Sequence, residues 1–343
     1  MEIRNDQPMT GSEPPARHDV IGLGNAIVDV IAEVDERQLE RLDLAKGTMT
    51  LVDRERMTGL YAGIGPAVEM SGGSCANSMA ALAALGARAA YVGKVQDDQL
   101  GEVFRHDIRA SGVAFDTAPL QGGPPTARCL VLVTPDAQRT MATYLGACVE
   151  LGPDDVDEAA VGGAGIVYLE GYLWDRPDAK AACLKAAAIA HRHGRRVALS
   201  LSDPFCVDRW RDEFHRLIAD HVDILIANEA EVCGLYRVNQ LDDAIARVRG
   251  EVGIAALTCS ADGSVLVSGS TTERIPAAPV TRVVDTTGAG DLYAAGLLYG
   301  LTHELPLAAC GRLGGLAAAA VLGQLGARPE GPLAPLVAAA HSV

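Results

Sequence analysis

Short apolar segments alternate with helical patterns along most of this sequence, and this alternation limits the fold more than any other feature. Runs typical of buried strands lie at residues 20–23, 89–92, 166–169, 197–201, 224–227 and 255–257. Ala- and Leu-rich helical periodicity follows at residues 77–85, 179–193, 241–248, 292–301 and 307–322. Such alternation predicts an α/β fold whose central, mainly parallel sheet is covered by helices on both faces.

Two segments break this rhythm. Residues 29–52 and 127–144 alternate apolar with polar residues, which indicates strands with one exposed face. We expect them to be antiparallel strands of a small separate sheet that covers a crevice as a lid. The predicted organisation is a disordered tail at residues 1–17 followed by one domain, residues 18–343, that carries this lid.

Charge and composition exclude several classes of protein. The net charge of −15 argues against a nucleic-acid-binding surface, which needs clustered Lys and Arg. The first 17 residues have no apolar core of a signal peptide, and no later apolar run is long enough to span a bilayer. The eight cysteines include no C-x-x-C pair, which argues against a zinc site and indicates a reducing compartment. We therefore expect a cytoplasmic protein that binds neither nucleic acid nor membranes.

The most informative segment is residues 281–291, which contain a glycine-rich turn. A predicted strand leads into Gly288-Ala289-Gly290 and then directly into a helix. Amides in the first turn of a helix lack helical partners and lie at the positive end of its dipole, so these three predict an anion site. Asp291 follows at once, where it could accept a proton from a hydroxyl that attacks a bound phosphate. The alternative is a tight turn in which Asp291 only complements the helix dipole.

The string Asp285-Thr286-Thr287-Gly288-Ala289-Gly290-Asp291 resembles the D-T-x-G-A-G-D signature of the ribokinase-like, or PfkB-type, carbohydrate kinases. The resemblance implies a three-layer ribokinase-like fold, ATP as phosphoryl donor and Asp291 as general base. It also implies that Thr286, Gly288 and Gly290 contact the nucleotide. No G-x-x-x-x-G-K-[ST] loop occurs in the sequence, which excludes the P-loop kinases.

Polar residues at two other strand or loop ends predict the acceptor site. Asn25 and Asp29 follow the first strand, and Asn77 begins the first long helix, after Gly72 and Gly73. Open α/β sheets place their ligands at such ends. The three polar side chains can hydrogen-bond sugar hydroxyls and the glycines allow close approach, although each could equally be a cap or turn residue.

These segments resemble the adenosine-kinase branch of the family. The spacing of Asn25 and Asp29, the run Gly72-Gly73-Ser74-x-x-Asn77 and the run from Tyr168 to Tyr172 are similar to that branch. The resemblance implies that Tyr172 stacks on the base of a nucleoside, and it places further wall residues at Ile27, Met49, Cys129, Met141 and Leu145. From its local sequence alone, Tyr172 could instead be an ordinary half-buried tyrosine. Arg128 stands where adenosine kinases have an uncharged residue, which leaves the base of the acceptor open.

The nucleotide side is predicted from three segments. Asn228 and Glu231 match the N-x-x-E motif of the family and predict Mg²⁺ binding through water, while the alternative is a helix cap. Thr258 and Gly263 flank a segment that resembles the family's turn against ATP, in which Ser260 replaces a glycine, and the resemblance implies the same contact here. Residues 326–329 are implied to border the nucleotide and a K⁺ site.

Arg139, in the predicted lid, could reach the phosphates on closure, or it could be a surface arginine.

The resemblance thus implies ATP-dependent phosphorylation of the 5′-hydroxyl of adenosine, giving AMP and ADP. A sugar kinase of the same fold, acting on ribose, fructose or a keto-gluconate, is the nearer alternative. A catalytically silent nucleotide-binding regulator is the farther one. The expected ligands are ATP and a small nucleoside or sugar, and the protein is expected to be a monomer or a homodimer.

Overall fold

The computed structural model describes residues 17–136, 138–324, 326–329 and 331–341. Residues 1–16 of the predicted tail lie outside the described residues. Arg17, the remaining residue of that tail, donates its amide to the carbonyl oxygen of Gly163 at 2.6 Å.

The main sheet confirms the predicted α/β class. Within the described residues it has nine strands in the order β14-β13-β12-β11-β10-β9-β1-β5-β6. Neighbouring strands are parallel across the sheet from β6 through β5, β1, β9, β10 and β11 to β12. Strands β13 and β14 are each antiparallel to the strand before them. The strands are β1 His18–Leu23, β5 Ala89–Val92, β6 Ala114–Phe115, β9 Ala164–Glu170, β10 Arg196–Ser200, β11 Ile224–Asn228, β12 Ile254–Thr258, β13 Ser264–Ser268 and β14 Thr271–Ile275.

A second sheet forms the lid. Its order is β3-β8-β7-β2-β4, made of β2 Ile27–Glu33, β3 Met49–Leu51, β4 Val68–Gly72, β7 Ala127–Val133 and β8 Arg139–Tyr144. The expectation of purely antiparallel pairing was wrong, because β2 pairs with β7, and β3 with β8, in parallel. Strand β4 was not predicted, since Val68-Glu69-Met70-Ser71-Gly72 lacks regular alternation.

Helices cover both faces of the main sheet. The helices of the described residues are α1 Glu36–Arg41, α2 Arg54–Ala62, α3 Ser74–Leu85, α4 Gln99–Ala110, α5 Glu158–Gly162, α6 Pro177–Arg192, α7 Pro204–His221, α8 Glu229–Tyr236, α9 Leu241–Val248, α10 Ala289–Thr302, α11 Leu307–Leu322 and α12 Pro335–His341. Among them, α2 packs against lid strand β8. Short 3₁₀ turns lie at Gly146–Glu150, Pro153–Asp155, Gly171–Asp175 and Ser260–Asp262.

Alternate residues of the central strands enter two separate cores. Ile166 and Tyr168 of β9 pack into the core beneath α3, α10 and α11, whereas Val167 and Leu169 pack into the core beneath α5 to α9. Because both faces are buried, the strand is apolar at nearly every position. A polar side chain on such a strand therefore needs a specific partner.

Gly22 in β1 and Gly24 just after that strand allow the first long helix, α3, to lie close to the sheet. A Cβ at Gly22 would be 2.5 Å from Cys75 Sγ, and one at Gly24 would be 2.4 Å from Cys75 Cβ. Both contacts are shorter than side chains tolerate. This close packing brings the first turn of α3 to the carboxyl end of β1, where the candidate site lies.

One predicted strand is absent from the structure. The segment before the glycine turn, residues 276–288, is irregular, because its backbone bonds to the end of α11 and not to a neighbouring strand. The amides of Val284 and Asp285 both donate to the carbonyl of Leu322, at 2.7 and 3.3 Å. Pro306 precedes α11 as its cap residue.

Candidate active site

The glycine turn begins helix α10 as predicted. Gly288 caps the helix with φ of +79°, a conformation that favours glycine, and a Cβ there would lie 2.6 Å from the Cβ of Ala327. No atom approaches within 4 Å of a Cβ position at Gly290, so space is open in front of that residue. The Ala289 amide donates to Thr286 O at 3.3 Å and closes the turn. Of the three amides predicted to bind an anion, that of Ala289 is therefore engaged within the turn, whereas the start of the helix is open to a ligand at Gly290.

Asp291 lies in the first turn of α10 and faces the first turn of α3. Its Oδ1 accepts a hydrogen bond from Ser74 Oγ at 2.7 Å, and its Oδ2 accepts one from Asn77 Nδ2 at 3.0 Å. Burial raises the pKa of Asp291, while these two bonds and the charge of Arg328 oppose the rise. The carboxylate is thus oriented by two donors and made more basic than a solvated aspartate, which suits a proton acceptor.

Asp29 lies on lid strand β2 and lines, with Asp291, a cavity between the lid and the main sheet. Burial raises its pKa to about 6, partly offset by Arg328 and Arg139 and reinforced by Asp291. Gly72, its neighbour on β4, backs this carboxylate and does not line the cavity, since a Cβ there would lie 2.3 Å from Asp29 Oδ2. The contact of Gly72 with the acceptor ring stays a prediction.

Glu170 is a site residue to which the sequence assigned no role. It is 1% exposed at the end of β9, and its two oxygens accept the amides of Asn25 at 2.7 Å and Cys75 at 2.9 Å. Burial raises its pKa to about 7. Glu170 thereby ties the loop after β1 to the start of α3. The available signal was an acidic residue ending an otherwise apolar strand, which is costly unless it has a partner.

These groups line a cavity of about 370 Å³ between the lid and the main sheet. Its wall is largely apolar, and Tyr172 lies in it with its hydroxyl donating to Ser202 O at 3.2 Å. The cavity brings together most of the predicted acceptor residues: Asn25, Ile27, Asp29, Met49, Gly73, Ser74, Asn77, Cys129, Met141, Leu145 and Tyr172, with Arg139, Gly288 and Asp291.

A second cavity, of about 460 Å³, lies on the other side of the glycine turn. It is lined by Thr258, Gly263, Thr286, Ala289 and Gly290, all predicted on the nucleotide side or in the turn. Thr287, Gly288 and Asp291 face the first cavity. The glycine turn therefore lies between the two cavities and contributes lining residues to both. Two adjoining cavities with the glycine turn between them could hold a phosphoryl donor and an acceptor.

Arg139 projects from β8 and forms an ion pair with Asp285, and both side chains are buried. Asp285 also accepts the amides of Thr287 at 2.9 Å and Gly326 at 3.0 Å. Arg139 is therefore not a surface arginine. Its guanidinium lies at the cavity, next to the turn that would hold phosphate.

Arg128 does not enter the cavity. Its guanidinium carbon lies 5.4 Å from the ring centre of Tyr61. The neighbouring residues Cys129 and Val131 alternate with it and face the cavity side. Arg128 therefore places no charge in the acceptor wall.

Asn228 and Glu231 form a reciprocal helix cap at the start of α8. Asn228 Oδ1 accepts the Glu231 amide at 2.9 Å, and Glu231 Oε2 accepts the Asn228 amide at 2.9 Å. Neither residue lines either cavity, and the described residues contain no group of three or more His, Cys, Asp or Glu arranged for a metal. The cap accounts for both side chains, so they do not fit a set of direct ligands. Their role toward Mg²⁺, and the K⁺ site beside residues 326–329, stay predictions.

Within the described residues, none of the helices combines the length and apolar composition needed to cross a membrane.

The two-sheet architecture and the shared turn define a ribokinase-like kinase fold. Residues 66–332 match the model of the pfkB family carbohydrate kinases. The chain belongs to this family, and the predicted class of ATP-dependent kinase is confirmed.

Individual relatives agree with this assignment. A structure of adenosine kinase from Sinorhizobium meliloti is 52% identical, with a TM-score of 0.88, over 95% of this chain and 100% of that one. A probable sugar kinase from Rhizobium etli CFN 42 is 48% identical, also with a TM-score of 0.88, over 95% and 99% of the two chains. The adenosine kinase of Saccharomyces cerevisiae is 28% identical over 306 residues, which are 82% of this chain and 88% of the yeast protein. The resemblance to adenosine kinases is confirmed.

Proposed function

We propose that this protein transfers the γ-phosphoryl group of ATP to the 5′-hydroxyl of adenosine. The observation that carries the proposal is the composition of the acceptor cavity, whose polar groups are few and whose wall is mainly apolar. A monosaccharide is polar over most of its surface and would leave this wall unused. A nucleoside combines a polar ribose with a flat apolar base, which matches both parts of the lining.

The polar groups suit a ribose next to the turn. Asn25, Asp29 and Asn77 offer hydrogen-bonding groups to sugar hydroxyls, and Asp291 is available to the hydroxyl that attacks. The base would then lie among Tyr172, Phe205 and the lid residues, where an aromatic ring provides a stacking surface.

The chain's residues supply placement and a proton acceptor. ATP would occupy the second cavity with its γ-phosphate at the amides of the glycine turn. Asp291 would accept the 5′-hydroxyl proton while Arg139 offsets charge on the phosphoryl group, and the lid would exclude water. Magnesium, bound chiefly through the phosphates, would supply further charge neutralisation.

The similarity to a probable sugar kinase keeps a sugar acceptor as the second candidate. Transfer of labelled phosphate from ATP to adenosine, inosine, guanosine, ribose and fructose separates the two. We expect the kcat/KM for adenosine to exceed that for either sugar by at least about 100-fold, the effect of losing roughly 3 kcal/mol of base contacts. Labelled product from sugars alone would overturn the assignment.

5′-Deoxyadenosine tests which hydroxyl reacts. It keeps every contact of the base and lacks only the proposed nucleophile. It should inhibit competitively against adenosine and accept no label. Label on 5′-deoxyadenosine would show that a different hydroxyl is phosphorylated.

A further inference from the structure

Arg328 lies in the segment after α11, but its side chain extends to the corner where the lid joins the main domain. Its Nη2 donates to Ser71 O at 2.8 Å and to Ser71 Oγ at 2.9 Å, and its Nε donates to the same carbonyl at 3.1 Å. Its Nη1 donates to Ala76 O at 3.1 Å. One guanidinium therefore joins the end of strand β4 to the first turn of α3.

The corner between these elements carries the functional groups. The chain turns from β4 into α3 at Gly73, whose φ is +95° and whose Cβ position lies 2.3 Å from Asn25 O. The first turn of α3 supplies Ser74 and Asn77, both bonded to Asp291. A shift of this turn would displace the two donors that orient the carboxylate of Asp291, the proposed proton acceptor.

Ser71 is held from its other side as well. Its amide and its hydroxyl both donate to Asp107 Oδ2 of α4, at 2.8 and 2.5 Å. Arg328, Ser71 and Asp107 thus form a chain of charge-assisted hydrogen bonds across three segments. Such a buried network restricts the corner to one geometry.

The charge of Arg328 acts on the site directly. The ionisable groups whose charges act on Asp291, or on which its charge acts, include Asp29, Cys75, Tyr168, Glu170, Tyr172 and Arg328. Arg328 is the cation of that set, and the others are acids. Arg139, on the lid, lines the same cavity and acts on Asp29. Arg328 lowers the pKa of both Asp29 and Asp291, against the effect of burial.

We propose that Arg328 is a positioning residue for phosphoryl transfer, which fixes the corner between β4 and α3 and keeps a positive charge beside Asp29 and Asp291. This inference rests on the proposed function in one respect, that Asp291 is the proton acceptor. The sequence had placed residues 326–329 beside the nucleotide. The structure instead directs this side chain toward the acceptor side.

Two variants separate the geometric part from the electrostatic part. Arg328→Met removes the charge and all four hydrogen bonds, whereas Arg328→Lys keeps a charge but cannot reproduce the planar fork. Arg312→Met is the matched control, since Arg312 donates to a backbone carbonyl at Ala340, 2.9 Å away, outside this corner.

The pH profile of kcat/KM measures the effect of the Arg328 charge on the protonation of the site carboxylates. Without the cation, the carboxylates protonate at higher pH, so the acidic limb of Arg328→Met should move up by about one pH unit. The kcat of Arg328→Met should fall by about 10- to 100-fold, as expected when a catalytic carboxylate is misplaced. Arg328→Lys should keep the limb of the wild-type enzyme, and Arg312→Met should match the wild type throughout. An Arg328→Met profile that coincides with the wild type overturns the inference.

Hydrogen exchange at the amides of residues 71–78 measures the local stability of the corner between β4 and α3, independently of activity. Both Arg328 variants should exchange faster there than the wild type and the Arg312→Met control. If Arg328→Met does not fold, Arg328→Lys decides: faster exchange with an unmoved acidic limb supports the inference, and unchanged exchange overturns it.

The wild-type enzyme tests the proposed function separately. If it phosphorylates only a sugar, the substrate assignment fails and the Arg328 profiles are measured with that sugar. If it phosphorylates no acceptor, the proposed function and the electrostatic part of the inference both fail. Hydrogen exchange then still supports or overturns the role of Arg328 at the corner.

Discussion

Arg139 of the lid forms a buried ion pair with Asp285, six residues before the candidate base, and so joins the lid to the glycine turn. The side chains are only 8% and 4% exposed. Burial opposes the charge of Arg139 and lowers its pKa, so the guanidinium depends on its partner. Loss of either residue would leave the other charge buried and unpaired.

We expect Arg139→Met and Asp285→Asn each to lower the free energy of unfolding by about 3–5 kcal/mol, as when one member of a buried pair is removed. The double variant should lose less than the sum of the two. Urea denaturation measures this. Arg274→Met is the control, because Arg274 and Asp242 form an exposed pair and should contribute at most about 1 kcal/mol. Strictly additive losses would contradict direct coupling.

Asp291→Asn should reduce kcat by about 10²- to 10⁴-fold, because the amide cannot accept the proton of the attacking hydroxyl. ATP binding should stay near the wild-type value, since the turn amides are unchanged. Single-turnover kinetics and ATP titration measure the two effects. Asp212→Asn, on the exposed side of α7, is the control and should be fully active. Normal turnover by Asp291→Asn would show that another group accepts the proton of the attacking hydroxyl.

The two glycines of the turn should respond differently to alanine. Gly288→Ala forces a left-handed backbone and a contact with Ala327, so we expect a lower thermal midpoint together with lost activity. Gly290→Ala has room for its methyl group and a helical backbone, so its stability should not fall. It should instead raise the KM for ATP, because the methyl group points to where phosphate would approach. Equal stability of the two variants would contradict this geometry.

Glu170 should make stability depend on pH. Burial raises its folded-state pKa from 4.5 to about 7, so between these values the folded protein holds a proton that the unfolded chain releases. This contribution favours folding at low pH and is lost as pH rises toward 7. The stability of Glu170→Gln relative to the wild type should therefore improve by up to about 3 kcal/mol from pH 5 to pH 8. Urea denaturation at several pH values measures it, and parallel curves for the two proteins would contradict it.

Tyr172→Ala should raise the KM for adenosine by about 5- to 150-fold, the range expected when one base loses an aromatic stacking partner. Tyr172→Phe keeps the ring and loses only the bond to Ser202 O, so its KM should stay close to the wild type. Steady-state kinetics with adenosine measures both variants. Equal KM values for the alanine and phenylalanine variants would place the base elsewhere in the cavity.

Local patterns in the chain were enough to predict the α/β class, the lid segments and the glycine turn. Each depends on residues adjacent in sequence. Strand β9 is apolar because both faces are buried, and Gly288 stands where the backbone adopts a positive φ. The helix after the turn began at Ala289, close to the predicted start.

Contacts between distant residues could not be predicted in this way. Asp291 meets Ser74 across 217 positions, and Arg328 meets Ser71 across 257. Neither spacing leaves a local pattern, so the partners of the base, the role of Glu170 and the direction of the Arg328 side chain emerged only from packing. The mixed pairing of the lid has the same origin. Periodicity along the chain records which face of an element is buried, whereas hydrogen bonds between elements depend on how those faces meet in space.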